Sequence, residues 1–168
     1  MIPPLSHKRL ATLQIGRIQR EEDSKVMKKY YIGYTAGVFD MFHIGHLNLL
    51  RQAKEHCEIL VVGVNSDELV RQYKNKLTVI SENERRDIVA SVRFVDKAVI
   101  VSTLDKIDTL KKYKFDVLFI GDDWKGSERW IQTEAEMHAA GVDVMYLSRT
   151  KGISSTDLRE KLHYIDNV

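Results

Sequence analysis

The sequence predicts an α/β fold in which one domain holds a central parallel sheet flanked by helices. Strand patterns and helix patterns alternate along the chain from Met27 onward. The strand pattern at 58–64 (EILVVGV) is an almost unbroken apolar run, which is typical of a parallel strand covered on both faces. Repeated alternation of this kind favours right-handed crossovers between parallel strands. A length of 168 residues suits one domain with a substantial core.

Five segments have the composition of strands. The first, 30–36, is aromatic and β-branched, which favours a central strand. The fourth, 116–120 (DVLFI), is largely apolar and stops at Gly121. The predicted strands are, in chain order, 30–36, 58–64, 97–101, 116–120 and 143–147.

Six further segments have helix patterns. The first of them has four apolar residues, Leu47, Leu49, Leu50 and Ala53, with Arg51, Gln52 and Lys54 between them, at the spacing of an amphipathic helix. The predicted helices are, in chain order, 45–55, 67–73, 82–92, 105–113, 127–140 and 154–162.

Four residues lie just past predicted strand ends: Gly37, Asn65, Gly121 and Arg149. Ligands of parallel α/β sheets lie at the carboxyl ends of the strands. We therefore expect these four residues to share one rim of the sheet.

The first 26 residues differ from the rest of the chain. They contain Pro3-Pro4 and carry five basic and three acidic side chains, and their one helix-like spacing has poor caps. We treat residues 1–26 as an N-terminal appendage that is disordered, packs on a neighbour or arises from an upstream start codon. Residues 27–168 are the predicted domain.

The composition excludes several classes of protein. A hydrophobic content of 43%, a charged content of 30% and a net charge of +2 are those of a globular protein, and they give no case for nucleic-acid binding by bulk charge. No run approaches the roughly 18 apolar residues of a membrane span, and no signal peptide is evident. The single cysteine, Cys57, is expected to be a buried and inert thiol, and a cytoplasmic location is expected.

The segment 37–46 (GVFDMFHIGH) lies between the first strand and the first helix. A helix that starts there presents free backbone N–H groups, which favour anions and phosphate above all. His43 and His46 flank Ile44-Gly45 and could both point at one phosphate, because glycine allows the backbone to come close. On spacing alone, the two histidines could equally be helix caps or surface residues.

Two signatures and three shorter segments resemble one enzyme superfamily. HIGH at 43–46, after GVFD at 37–40, resembles the H-x-G-H signature of the nucleotidyltransferases that include cytidylyltransferases, and RTKGISST at 149–156 resembles its partner signature. GDDWKG at 121–126, the R-x7-R-F-V-D spacing at 85–96 and SDE at 66–68 resemble segments of glycerol-3-phosphate cytidylyltransferases. The resemblance covers nearly all of residues 27–163 and implies a Rossmann-like domain.

The resemblance implies an enzyme that transfers CMP from CTP to glycerol 3-phosphate, giving CDP-glycerol and pyrophosphate for a cell-surface polymer. It also implies Mg²⁺ carried by CTP and a homodimer, with CTP and a small alcohol phosphate as partners. We expect no nucleic-acid or membrane partner. We expect no protein-held metal either, because the remaining histidines lack ligand spacing; they are His7, His56, His138 and His163.

Roles follow from the resemblance residue by residue. The implied catalytic residues are His43, His46, Lys74 and Arg149. The implied nucleotide-binding residues are Gly37, Val38, Phe39, His43, His46, Asp123, Arg149, Thr150, Ile153, Ser154, Ser155 and Thr156. The implied substrate-binding residues are Lys74, Lys76, Arg85, Arg93 and Trp124.

Other interpretations of these residues stay open. Ser154, Ser155 and Thr156 could cap the last helix as well as bind phosphate, and the two lysines could be solvated surface residues. Arg85 and Arg93 lie roughly 80° apart around a helix and could share a face towards the acceptor phosphate, or each could pair with a carboxylate such as Glu84 or Asp96. Trp124 could be a core residue, and Asp40 is expected to orient backbone rather than to contact substrate.

The sequence also departs from the family pattern. Val38 stands where the family has threonine, the loop with Lys74 and Lys76 is about two residues longer, and the segment 125–143 is longer and contains Trp130. Since that segment borders the acceptor pocket, phosphocholine, phosphoethanolamine or an alditol phosphate remains an alternative acceptor, and ATP an alternative to CTP. A regulatory nucleotide-binding module without catalysis is a second alternative, whereas the short chain argues against an aminoacyl-tRNA synthetase.

Overall fold

A computed structural model describes residues 29–165 of the chain. The strands are β1 (Tyr30–Gly37), β2 (Cys57–Asn65), β3 (Lys97–Val101), β4 (Val117–Gly121) and β5 (Asp143–Leu147). The helices are α1 (Ile44–His56), α2 (Asp67–Lys74), α3 (Glu82–Ala90), α4 (Lys106–Tyr113), α5 (Glu128–Ala139) and α6 (Ser155–Ile165), with a short 3₁₀ turn at Asp122–Trp124.

The predicted fold class is confirmed. Each predicted strand and helix is present, with bounds within three residues of those predicted. The element that is shortened most, relative to its predicted length, is α3. It ends at Ala90 rather than at residue 92 because the chain turns through residues 91–95. The predicted appendage, residues 1–26, lies outside the described residues.

All five strands run parallel, in the order β3-β2-β1-β4-β5. The order reverses at β1, which is the switch point where ligands of open α/β sheets bind. β1 pairs with β2 from Tyr30 to Gly37 but with β4 only at Gly33 and Tyr34. The end of β1 is therefore free of β4, and a crevice can open there.

The core has two layers, one on each face of the sheet. One layer contains Leu50 of α1, Val62 and Phe119 of the sheet and Val89 of α3. The other is formed on the opposite face by residues of the sheet, α5 and their connections: Tyr34, Val61, Phe115, Leu118, Trp130, Met137 and Val142. Strands covered on both faces need apolar residues at every position, which is why β2 reads as a continuous apolar run.

Two smaller features complete the description. Cys57 is buried, as predicted, and its thiol donates to the carbonyl oxygen of Ala53. Among the helices that the structure describes, none is both long enough and apolar enough to cross a membrane.

Candidate active site

A cavity of about 340 Å³ opens at the carboxyl ends of β1, β4 and β5. All twelve residues predicted to bind the nucleotide line this cavity, and so do Lys74 and Trp124. They come from four places, namely the β1–α1 loop, the end of α2, the end of β4 with the turn after it, and the segment from β5 into α6. Parallel topology brings these places together because it puts every strand's carboxyl end on the same edge.

The two histidines are fixed against each other at the start of α1. His43 is the N-cap of α1, and its Nδ1 accepts from the N–H of Gly45 at 3.1 Å. The Nδ1 of His46 accepts from the N–H of His43 at 3.4 Å, and the two rings stack with their centroids 3.9 Å apart. Since Nδ1 is an acceptor in both rings, the proton of each neutral imidazole lies on Nε2. The capping interpretation is thus correct for His43, and capping leaves Nε2–H of both rings free to donate to a ligand.

Gly45 is required by this packing. A Cβ on Gly45 would lie 2.9 Å from Cε1 of the His43 ring, which is closer than a side chain can approach. Glycine therefore allows the imidazole to fold back over the first turn of α1.

Burial keeps both imidazoles neutral. It lowers the pKa of His46 to about 3, an effect that the neighbouring His43 and Lys74 reinforce and that Asp40 opposes. Burial also lowers the pKa of His43, and the Arg149 guanidinium adds to that effect. The free protein at neutral pH therefore presents two N–H donors without two positive charges, and a bound polyanion would favour their protonation.

The start of α6 forms the opposite wall of the cavity. Ser154 caps the helix, because its Oγ accepts from the N–H of Asp157 at 3.1 Å and its carbonyl oxygen accepts from the N–H of Leu158. Ser155 Oγ donates to the carbonyl oxygen of Asp40 at 2.7 Å, which ties α6 to the β1–α1 loop. Free N–H groups at such a helix start favour phosphate.

Arg149 is held by the turn that follows β4. Its backbone N–H donates to Oδ1 of Asp122 at 3.1 Å, and its Nη1 lies 3.4 Å from Oδ2 of Asp123. The guanidinium remains half-exposed, so it can turn towards an anion in the cavity. Asp123 is the one carboxylate among the described residues that line this cavity.

Asp40 organises the loop that carries Lys76. Only 2% of Asp40 is exposed, and its carboxylate accepts from the N–H groups of Val79 and Ile80 and from Arg159. Although burial alone would raise it, these donors hold the pKa of Asp40 below its usual value. Arg159 also donates to the carbonyl oxygen of Leu77 at 3.0 Å. Asp40 therefore orients backbone, as predicted, and the backbone that it holds is residues 79–80.

The same loop is strained. Phe39 and Met41, on either side of Asp40, both have φ in the left-handed region, at 54° and 50°. Non-glycine residues rarely adopt this conformation, and it persists where surrounding contacts enforce it. The bonds of Asp40 and the bond from Arg85 to the carbonyl oxygen of Val38 supply that enforcement.

The structure places Arg85 differently from the acceptor-facing position that was expected. Its side chain is 0% exposed, and it donates through Nε to Ile80 O at 2.9 Å, through Nη1 to Val38 O and through Nη2 to Asp67 Oδ1 at 2.6 Å. The partner carboxylate is Asp67 rather than Glu84 or Asp96. In this arrangement Arg85 joins three segments of the chain and does not face the cavity.

Arg93 does not share a face with Arg85. The helix α3 ends at Ala90, so Arg93 lies in the following turn and the helical angle between the two arginines does not apply. Its guanidinium lies 4.8 Å from the centre of the Phe94 ring, outside the cavity. The expectation of one arginine face was wrong because α3 is shorter than its sequence pattern.

Two of the lysines and tryptophans named above, Lys74 and Trp124, line the cavity, and two, Lys76 and Trp130, do not. Lys74 ends α2 and lines the cavity, and partial burial of its ammonium lowers its pKa, with Lys76 and Arg159 adding to the effect. Lys76 lies on the rim of an adjoining cleft. Trp124 is 41% exposed and lines the cavity, whereas Trp130 is 6% exposed and belongs to the core.

Residues 34–161 match the model of the Cytidylyltransferase-like family. The chain belongs to this family. It is 33% identical over 130 residues to the glycerol-3-phosphate cytidylyltransferase of Staphylococcus aureus, covering 77% of this chain and 92% of that protein. It is 34% identical over 129 residues to the glycerol-3-phosphate cytidylyltransferase of Bacillus subtilis, covering 76% of this chain and 94% of that protein. The superfamily resemblance is thereby confirmed.

Solved structures agree on the fold of this cytidylyltransferase-like chain. A lipopolysaccharide core biosynthesis protein from Thermoplasma volcanium superposes with a TM-score of 0.62 at 27% identity, over 74% of this chain and 99% of that one. Pantothenate synthetase from Thermus thermophilus superposes with a TM-score of 0.56 at 12% identity, over 82% of this chain and 64% of that one. At that low identity, the second likeness shows the fold alone.

Sequence reasoning missed Arg159 as part of the site. Arg159 lies one helical turn after Ser155 on α6, so both residues lie on the side of the helix that meets the β1–α1 loop. That spacing is a weak signal, because many exposed helices carry arginines at the same interval. Only the fold brings Asp40 and Leu77 to the guanidinium.

Acid is expected to destabilise the folded chain through His46. The unfolded chain takes up a proton as the pH falls through 6.5, whereas folded His46 does so only near 3. The free energy of unfolding should therefore fall as the pH drops below 6.5, by about 2 kcal/mol between pH 7 and pH 5, and His43 acts in the same direction. Urea unfolding of the wild type and His46→Gln at both pH values checks this. An equal loss in the two proteins would contradict the assignment to His46.

Proposed function

We propose that this chain transfers CMP from CTP to glycerol 3-phosphate, giving CDP-glycerol and releasing pyrophosphate. The observation that carries the proposal is the single cavity that gathers all twelve predicted nucleotide residues around two neutral histidines. The relatives that are named for this reaction share about a third of their residues with the chain over nearly their full length.

The reaction needs positioning and charge stabilisation more than it needs proton transfer. An oxygen of the acceptor phosphate attacks the α-phosphorus of CTP and forms the new P–O bond. The bond from the α-phosphorus to the oxygen that bridges to the β-phosphate breaks, and pyrophosphate leaves with the electron pair. The attacking oxygen is already ionised at neutral pH, so no general base is required.

The donors of the cavity suit this charge flow. Nε2–H of His43 and of His46 would donate to phosphate oxygens that gain charge in the transition state. The first N–H groups of α6, among them those of Ser155 and Thr156, would hold the β- and γ-phosphates of the leaving group. Lys74 and Arg149 would add positive charge from the two sides.

Mg²⁺ would enter this site bound to the triphosphate of CTP. The lining offers hydroxyl groups and one carboxylate, Asp123, which is paired with Arg149, and this set suits an ion held mainly by phosphate oxygens and water. In residues 29–165, no group of three or more His, Cys, Asp or Glu side chains is placed to hold a metal by itself. When bound, the ion would neutralise charge on the leaving pyrophosphate. The homodimer, the cytoplasmic location and the use of the product in a surface polymer stay predictions.

The test is pyrophosphate release with Mg²⁺, either CTP or ATP, and a panel of alcohol phosphates. We expect fast release with CTP and glycerol 3-phosphate and at least tenfold slower release with ATP. Faster turnover with ATP would overturn the choice of base. Tight CTP binding with no release for any acceptor would overturn catalysis and favour the regulatory module.

A further inference from the structure

The loop between α2 and α3, residues 75–81, is positioned mainly by polar contacts. Its apolar side chains Leu77 and Val79 are 74% and 65% exposed. They therefore bury little of the apolar surface that usually fixes a loop in place. The hydrogen bonds that other segments make to this loop decide where it lies.

Lys76 lies between two fixed peptide groups of this loop. On one side, Asn75 is the C-cap of α2, and its N–H closes the last turn of that helix. On the other side, the carbonyl oxygen of Leu77 accepts from Nη2 of Arg159 at 3.0 Å. The further side-chain contacts of the loop are made at residues 78–80. Arg159 is therefore the contact that fixes the backbone directly after Lys76.

The guanidinium of Arg159 joins three segments of the chain. Its Nη2 also donates to the carboxylate of Asp40, in the β1–α1 loop. Ser155, one helical turn earlier on α6, donates from Oγ to the carbonyl oxygen of the same Asp40 at 2.7 Å. The start of α6, the histidine-bearing loop and residues 75–81 are thus fastened together beside the nucleotide cavity.

A cleft of about 180 Å³ adjoins the nucleotide cavity at this junction. Three cations line the cleft, namely Lys74, Lys76 and Arg159, and Asp40 is the one carboxylate among its described lining residues. Asp40 is only 2% exposed and is already paired with Arg159. The excess of positive charge suits a polyphosphate that extends out of the larger cavity. The two spaces share Val38, Phe39, His46, Lys74, Ser155 and Thr156.

We propose that Arg159 is a positioning residue for the triphosphate of CTP. It fastens Leu77 to α6 and thereby holds the ammonium group of Lys76 against the β- and γ-phosphates, which lie at the start of the same helix. The proposal rests on the proposed function, because it deepens the assignment of the same site. Arg159 acts through Lys76 and does not itself bind the nucleotide.

The contacts of Arg159 favour this indirect role over a direct bond to phosphate. Both of its hydrogen bonds leave from Nη2, which is occupied by Asp40 and Leu77. Its Nε is closed off from solvent and has no hydrogen-bond partner among the described residues. A phosphate in the cleft therefore cannot reach Nε while the side chain stays in place. A direct bond would have to come from Nη1, and the experiment distinguishes that bond from positioning.

The experiment measures the Kd of CTP and of CMP, each with Mg²⁺, by calorimetry. Wild type, Arg159→Met, Lys76→Gln and the double variant are compared. We expect each single variant to bind CTP about tenfold more weakly, the effect of one lost charge-assisted contact. Binding of CMP should be unchanged, because CMP lacks the β- and γ-phosphates. The double variant should bind CTP no more weakly than the weaker single variant, since both changes remove the same contact.

Two further variants serve as controls. Both bonds of Arg159 leave from one nitrogen, and a lysine ammonium carries enough N–H donors for both, so Arg159→Lys should recover part of the lost CTP affinity. Lys161→Gln removes a charge from an exposed position on the same helix and should bind CTP as the wild type does.

Folding is separated from positioning by the contacts that remain. In Arg159→Met, the Asp40 carboxylate keeps the N–H groups of Val79 and Ile80, so the unfolding midpoint should stay close to that of the wild type. Lys76 is exposed, so Lys76→Gln tests the same contact without any change to buried groups.

Three results would overturn this inference while the proposed transferase stands, because pyrophosphate release tests the transferase separately. Additive losses in the double variant would show that Arg159 binds the nucleotide directly. Equal losses of CTP and CMP affinity would show a general structural role. Unchanged CTP affinity in either single variant would show that the contact does not hold the triphosphate. A wild type that binds no CTP would overturn both proposals.

Discussion

His46→Ala is expected to lower kcat for pyrophosphate release by a factor on the order of 10² to 10³, which is the usual effect of losing one transition-state hydrogen-bond donor. The partly buried imidazole presents Nε2–H to the cavity because its Nδ1 is occupied by the N–H of His43. Alanine removes that donor where the leaving phosphates gain charge. KM for CTP should change far less than kcat, since the bond is strongest in the transition state.

Two further variants make this result specific. His46→Gln retains an N–H donor of similar reach and should recover part of the lost rate. His138→Ala removes an exposed histidine at the end of α5 and should have the activity of the wild type. Near-normal turnover by a folded His46→Ala protein would show that the histidine is structural and that the proposed mechanism is wrong.

Arg85→Met is expected to lower the free energy of unfolding by about 3–5 kcal/mol, the usual cost of breaking a buried charged network by removing one partner. The guanidinium is fully buried and joins Val38 O, Ile80 O and Asp67. Methionine fills a similar volume but leaves the two carbonyl oxygens without their donor. It also removes the charged partner of Asp67, which keeps only the bonds from Thr78 and from the N–H of Glu82 among the described residues. Urea unfolding at pH 7 measures the loss.

Arg86→Met is the matched control for this substitution. Arg86 is the next residue on α3, its side chain is 37% exposed, and within residues 29–165 its one ion pair is with the adjacent Asp87. Arg86→Met should therefore lower the free energy of unfolding by less than about 1 kcal/mol. If Arg85→Met instead kept full stability and raised only KM for the acceptor, Arg85 would be a substrate ligand and the buried arrangement would not describe the working enzyme.

Much of the fold could be predicted from local sequence because its signals are local. β2 is apolar at successive positions since both faces are covered, and the amphipathic pattern of α1 marks the face that packs on the sheet. Element bounds were less accurate where tertiary contacts decide them, as at the end of α3. There the chain leaves the helix at Ser91 although the pattern continues to residue 92.

Much of the nucleotide cavity could be predicted for a different reason. Its lining comes mainly from two continuous segments, 37–46 and 149–156, with a short contribution at 121–124. Each segment follows a strand end, and a parallel sheet places all such ends on one edge. Sequence order and topology were therefore sufficient to bring His43, His46, Arg149 and Ser154 together.

The tertiary structure alone decided what the buried and charged side chains contact. Asp40 meets Arg159 across 119 positions of sequence, and Arg85 meets Val38 across 47. Lys106 and Arg129 become neighbours only because α4 packs beside α5. The sequence by itself determined the order of the elements and the edge that holds the site, because backbone patterns are set within a few residues. The partners of a long charged side chain depend on which distant segment lies within its reach, and that is decided only when the chain has folded.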